Sequence, residues 1–311
     1  EGITPDGGMY EGTSYPLGYG TRFTPLHLMA LRLRGVDLIR TTNVPKVGEW
    51  LTYEMLPWGG EAQGMNKSMG RFNVGPFNTL LAGEFGGATD WSFLHCTGWL
   101  PERADLDPYV ALINGIPELD DWTPNVLPLT RWFSTMGKVI ARSGWGPRDA
   151  HLAYNSNALG AGHSHADHGS FCLASHGVNF ITDSPIGRYD AGAHNLILID
   201  GKAQDSRESR TESFIRSVDT SRYADIIDHD LELAYDRALV GPHTGPWYWD
   251  EYNPVRNAER RVLFVRGVGG PILVVADDVR KDEKPHEYIW RIHTFSNNNL
   301  TAEGRRFAIA E

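Results

Sequence analysis

From about Leu129 onward the chain is a succession of short runs with strand character, and no long helical pattern intervenes. Lys138–Arg142, Ala150–Tyr154, Ser170–Ser175, Val178–Thr182 and Leu196–Ile199 come first. Phe214–Val218, Ala224–Asp228, Arg261–Val265, Ile272–Val275 and Tyr288–His293 follow. Turn residues separate many of them. Ser175-His176-Gly177 and Gly267-Val268-Gly269-Gly270 read as hairpin connections. Short strands in series, without helices between them, predict an antiparallel β-sandwich over residues 129–311. Within it, Tyr235 to Asn257, with Trp247, Trp249 and Tyr252, reads as one long Gly/Pro/aromatic loop.

The first 128 residues read differently. Residues 1–20 are rich in Gly and Tyr and form a loop running into a helix. Thr24-Pro25 starts that helix, with Thr as N-cap and Pro at the first position, and Gly35 stops it. A second helix is predicted over Pro45–Met55 and a third from Pro76, carrying Phe77, Leu80, Leu81 and Phe85. The prolines between Pro101 and Pro128 make that stretch a linker. The fold class is therefore α+β: a helical part over 1–128, then the sandwich. The 311 residues accommodate one large or two ordinary domains.

At the head of the Ser170 strand stands Gly162-His163-Ser164-His165-Ala166-Asp167-His168-Gly169. Single histidines are usually surface or satisfied core residues, but three imidazoles and a carboxylate within six residues are less ordinary. If the strand starts this early, His163, His165 and Asp167 share one face. Asp183 closes the next apolar run and His194-Asn195 opens the one after. Antiparallel neighbours lie about 5 Å apart, so one ion can collect His165, Asp183 and His194. Two imidazoles and a carboxylate suit zinc, with another divalent ion as the alternative. Asp167 is a candidate orienting partner for the ligands.

Composition bounds the rest. A net charge of −10 argues against nucleic acid as a partner. An anionic ligand would need a local cluster of cations, for which Arg142, Arg148, Arg188, Arg207 and Arg210 are candidates. Cys96 and Cys172 are too few for a disulfide framework. No run of about 18 apolar residues suggests a membrane span. Both ends of the chain read as cuts.

In this order, His163–Phe171, Asp183-Ser184, Ala193-His194-Asn195 and Asp200-Gly201 resemble the heparinase II/III-like polysaccharide lyases. Asp6-Gly7-Gly8-Met9-Tyr10-Glu11-Gly12-Thr13-Ser14-Tyr15 adds an N-terminal match. The superfamily includes heparin/heparan sulfate and alginate lyases, with dermatan sulfate epimerases related to it. The resemblance implies the C-terminal part of an (α/α) toroid followed by an antiparallel β-sandwich, with the active site between them. It implies Tyr15 and His163 as catalytic residues and His165, Asp183 and His194 as ligands of a structural zinc. Glu11, Arg188 and Tyr189 are the candidate substrate-binding residues. It also implies an upstream toroid segment completing the site, an anionic polysaccharide substrate, and a periplasmic or secreted location. The implied reaction is β-elimination at a 4-linked uronic acid. The alternatives are a uronyl C5-epimerase, a non-catalytic carbohydrate-binding module, and a metal hydrolase, which the β-rich pattern disfavours.

Overall fold

In the computed structural model the described residues are 2–9, 12–13, 24–62, 76–82, 84–91, 122–156, 165–183, 191–202, 204, 212–240, 249–267, 270–294, 299–303 and 306–310. The helices come first. α1 (Thr24–Leu33) starts at Thr24-Pro25 and stops just before Gly35, where the Val36 N–H returns to the Leu31 carbonyl. A short helix outside the expected set precedes the second expected one, which is helical over Val47–Glu54 of the expected Pro45–Met55. α2 (Leu38–Thr41) is capped by Asp37, and α3 (Val47–Glu54) follows a 3-10 turn over Val44–Lys46. Pro45 has no N–H to continue a preceding helix, so it sits in the first turn of a new one. α4 (Pro76–Leu81) begins at the expected proline. Among the described residues no helix is long and apolar enough to cross a membrane.

The rest is antiparallel sheet. β1 (Thr130–Phe133), β2 (Lys138–Arg142), β3 (His151–Asn155), β4 (Phe171–Ser175) and β5 (Val178–Ile181) form one five-stranded meander in sequence order. β6 (Ile197–Ile199), β7 (Phe214–Thr220), β8 (Ala224–Asp230), β9 (Arg237–Val240) and β10 (Trp249–Tyr252) come next. Then follow β11 (Asn257–Val265), β12 (Ile272–Arg280), β13 (Tyr288–Trp290), β14 (Asn299–Glu303) and β15 (Arg306–Ala310). A second, four-stranded sheet has the order β12-β11-β8-β7, and β6–β13, β9–β10 and β14–β15 form short pairs.

Tyr235–Asn257 is thus not one structureless loop, because it carries both members of the β9–β10 ladder. Strand pairing, rather than local pattern, makes strands of Arg-Ala-Leu-Val and Trp-Asp-Glu-Tyr. β1 and β14 likewise lie outside the predicted set. His176 (φ +54°) and Gly177 (φ +85°) turn the expected β4–β5 hairpin, both in the left-handed region that a two-residue connection requires.

Side-chain alternation explains why β2 and β3 are buried along their whole length. Val139, Ala141, Leu152, Tyr154 and Phe171 face the second sheet and pack with Ile227, Val262 and Phe264. This is the sandwich core. Ile140 points the other way, into a core made with Trp50, Leu51, Tyr53, Phe77, Leu80 and Leu81 of the helices.

That helix-facing side also carries charge. Lys138 Nζ pairs with Glu54 at 2.6 Å, both buried. Arg142, a candidate for substrate binding, is buried and donates to the carbonyls of Thr52, Tyr53 and Met55. It caps the C-terminal end of α3, where unsatisfied carbonyls and the helix dipole favour a cation. The N-terminal Asp6-Gly7-Gly8 is structural too. Asp6 Oδ2 accepts the Thr135 N–H at 2.8 Å. A Cβ on Gly8 would lie 2.2 Å from Met136 Cγ, so only glycine lets the segment lie against the β1–β2 turn.

Candidate metal centre

Residues 165–170 are a loop, and β4 begins only at Phe171, so the strand expected to start early enough to align His163, His165 and Asp167 does not include His165 or Asp167. The loop turns at Gly169, with φ +85°, where an added Cβ would sit 3.0 Å from Leu231 Cδ1. His165 and Asp167 therefore approach the end of the sheet from a bend rather than along one face of a strand. They meet His194, which lies just ahead of β6. One ligand atom from each of His165, Asp167 and His194 lies within 4.8 Å of the others, and all three side chains are buried. The two imidazole centroids are 5.1 Å apart.

Asp183, at the end of β5, stands beside this group. Its Oδ1 accepts from His194 Nδ1, and its Oδ2 accepts from Ser170 Oγ at 2.7 Å. Ser170 Oγ in turn accepts the Asn195 N–H at 3.1 Å. This is a carboxylate–histidine arrangement: it fixes the tautomer of His194 and leaves Nε2 as the ring atom suited to an ion. His165 and His194 occupy the expected positions, while Asp167 rather than Asp183 completes the converging group. Sequence spacing could not separate the two aspartates, because both lie beside the end of a strand.

Three further residues lock the segments that carry these side chains. Asn195 donates through Nδ2 to the Phe171 and Thr182 carbonyls at 2.7 and 2.8 Å and accepts the His293 N–H at 2.7 Å, tying β4, β5 and the segment after β13 together. Gln204 forms a two-bond pair with the backbone of His168, 2.9 Å each way. Arg260, on β11, donates through Nη1 to the Gly169 and Asn195 carbonyls at 2.6 and 2.9 Å. It grips both oxygens of Asp277 at 2.6 and 3.0 Å. No local motif marked Arg260 or Gln204, since their contacts with the ligand-bearing segments span 36 to 91 residues.

Behind the loop a buried polar chain enters the sandwich. His168 Nδ1 meets Ser213 Oγ at 2.7 Å, Ser213 meets Ser156 at 2.8 Å, and Ser156 meets His229 Nε2 at 3.1 Å. His229 Nδ1 reaches Tyr154 Oη at 2.6 Å. Burial pushes His168 down to about 4 and drives His229 well below the usual imidazole range. Both rings are neutral at pH 7.

Tyr15, His163, Glu11, Arg188 and Tyr189 lie outside the described residues, as do Arg207 and Arg210.

A donor set of two imidazoles and one carboxylate fits zinc, and a divalent ion would balance a carboxylate otherwise costly to bury. The donor chemistry and the carboxylate behind His194 fit such a group.

The fold of this chain is similar to that of solved heparan sulfate lyase and heparinase III structures. Heparan sulfate lyase HepC from Pedobacter heparinus matches at 16% identity and TM-score 0.58, over 96% of this chain and 43% of that one. A heparinase III gene product matches at 14% and 0.60, over 97% of this chain and 42% of its own. A further heparinase III structure matches at 15% and 0.59, over 97% and 44%. The chain thus spans less than half the length of these neighbours. At these identities the likeness is one of fold, and it agrees with the resemblance carried by the His163–Phe171 motif. No family model and no curated protein matches the sequence.

Proposed function

We propose that this chain is part of a polysaccharide lyase that cleaves a 4-linked uronic-acid polysaccharide by β-elimination. The carrying observation is the buried His165–Asp167–His194 group, which fixes the loop directly after His163 at the end of the sandwich. The neighbours' names supply the substrate class, a heparan sulfate type of glycosaminoglycan. In this reading residues 1–128 are the C-terminal part of a helical toroid, and a further helical segment supplies the groups that hold the substrate carboxylate.

The chemical problem is removal of a weakly acidic proton from C5 beside that carboxylate. A base must take it, an acid must protonate the departing O4, and a donor must steady the developing enolate. Tyr15 is assigned the proton transfers and His163 is its partner. Tyrosine ionises near pH ~10, so it serves as a base only where cations or imidazoles stabilise its anion. His165, Asp167 and His194 would hold zinc, with Asp183 orienting His194. When bound, the ion supplies a rigid anchor for the His163 loop. Glu11, Arg188 and Tyr189 are assigned to substrate contacts.

The test is a panel of uronic polysaccharides incubated with the full-length protein and read by ultraviolet absorbance of the unsaturated product. Absorbance that rises for wild type and vanishes for Tyr15→Phe supports the assignment. C5 inversion without a double bond would replace the lyase by an epimerase, and full activity of Tyr15→Phe would remove the tyrosine from its role.

A further inference from the structure

The sandwich has a second end, about 17 Å along β4 from Ser170, taking five residues at ~3.4 Å each. There the β2–β3 loop, the β4–β5 turn, the β7–β8 turn and the β11–β12 turn surround a cleft of about 700 Å³. In a chain of net charge −10, its wall is cationic: Arg148, Arg222 and Arg266 face one lining carboxylate, Asp149.

The three arginines differ in what they already do. Arg266 is committed to the fold. It pairs with buried Asp225 and donates to the Arg142 carbonyl at 2.6 Å, the Ser221 carbonyl at 2.8 Å and Thr130 Oγ1 at 2.6 Å, bolting the two sheets together. Arg148 and Arg222 have no carboxylate partner among the described residues. Arg148 is nonetheless placed, because its carbonyl accepts from Ser175 Oγ at 3.2 Å and the His176 N–H at 3.3 Å. Arg222 lies over the Tyr223 ring, 4.4 Å from its centroid, and donates to the Tyr223 hydroxyl. A stacked guanidinium loses little freedom on gripping an anion, and its planar fork matches a sulfate or carboxylate. Asp149 is held within its own loop. Its oxygens accept from Ser143 Oγ at 3.1 Å and the Gly146 N–H at 2.7 Å.

We propose that this cleft is a second polysaccharide subsite, in which Arg148 and Arg222 hold a sulfate or carboxylate of a chain extending away from the metal centre. The inference rests on the lyase reading for the identity of the polymer, and on the cleft itself for the anion. It predicts that long anionic chains bind more tightly than disaccharides, and that the difference fades at high salt because both guanidiniums are exposed.

The experiment is calorimetric titration of the full-length protein with a long heparan sulfate oligosaccharide and with its disaccharide, at low and high salt. Arg148→Ala/Arg222→Ala should weaken the long probe by about tenfold, the loss of two solvent-exposed ion pairs, and leave disaccharide binding unchanged. Arg261→Ala/Arg280→Ala removes the same charge elsewhere and should leave both unchanged. Equal losses in the two variants, or none in the first, overturn the proposal. Every titration is made in the Tyr15→Phe background with product absorbance monitored, and turnover is assayed separately with Tyr15 intact, so the two readings fail separately. A protein that forms no unsaturated product yet binds through Arg148 and Arg222 removes the lyase and keeps the cleft. An active one with unaltered binding does the reverse.

Discussion

Replacing Arg260 by methionine tests whether one buried cation holds the metal-bearing segments in place. The side chain is almost fully buried, with 1% of its surface accessible, and spends its donors on Asp277, Gly169 and Asn195. Methionine fills similar volume but donates nothing. Two carbonyls lose their donor, and Asp277, 12% accessible, keeps only the Trp290 Nε1 contact at 3.1 Å among the described residues. Breaking a buried pair from one side costs about 3–5 kcal/mol. Arg261 is the internal control. It is the next residue on the same strand, points outward, and meets Asp228 and Glu259 at 3.4 and 3.3 Å with 62% of its side chain accessible. Its replacement by alanine should cost ~1 kcal/mol or less. Urea unfolding of both variants, with wild type alongside, measures the contrast. A chelator-competition titration should show weaker metal retention in Arg260→Met, since Gly169 and Asn195 flank the ligand segments. Arg260→Met within about 1 kcal/mol of wild type would refute the reasoning. Adding Asp277→Leu should recover part of the loss, because the stranded carboxylate is then gone.

Three other outcomes follow from the same geometry. Chelation of a bound divalent ion should lower the melting temperature; Asp167→Asn should abolish that response, and Asp183→Asn should weaken it by freeing the His194 ring. An unchanged response in Asp167→Asn would shift the ligand role to Asp183. Stability should fall as pH drops below about 6.5, where histidines of the unfolded chain take up protons. His151 and His229 are held neutral by burial, with their folded pKa values well below the usual imidazole range, so their contribution is present above the unfolded value and lost on acidification. Replacing His151 by glutamine, which can keep the bond to the Tyr53 carbonyl, should reduce the slope by up to about 1.4 kcal/mol per pH unit in urea titrations. An unaltered slope would contradict the burial argument. Cys172 is buried, and burial raises its thiol well above the usual range, so it should resist a thiol reagent in the native state and react only on unfolding; rapid native labelling would mean the sheet opens there.

Local pattern was sufficient wherever a residue's neighbours in sequence are also its neighbours in space. Thr24-Pro25 set the start of α1, Ser175-His176-Gly177 set the β4–β5 hairpin, and the alternating runs located most strands of both sheets. The motif around His163 likewise pointed to the loop that bears His165 and Asp167. What the sequence alone could not supply is everything assigned by long-range contact. β9 and β10 are strands because they pair with each other. Arg142, a surface-type residue by composition, is a helix cap because α3 ends against it. The contest between Asp167 and Asp183 is posed by the bend at Gly169, which brings one carboxylate to both histidines and leaves the other behind His194. The physical reason is common to all of these cases: propensity and periodicity act over a few residues, whereas a buried polar side chain takes its partner from whatever backbone the folded chain brings within about 3 Å.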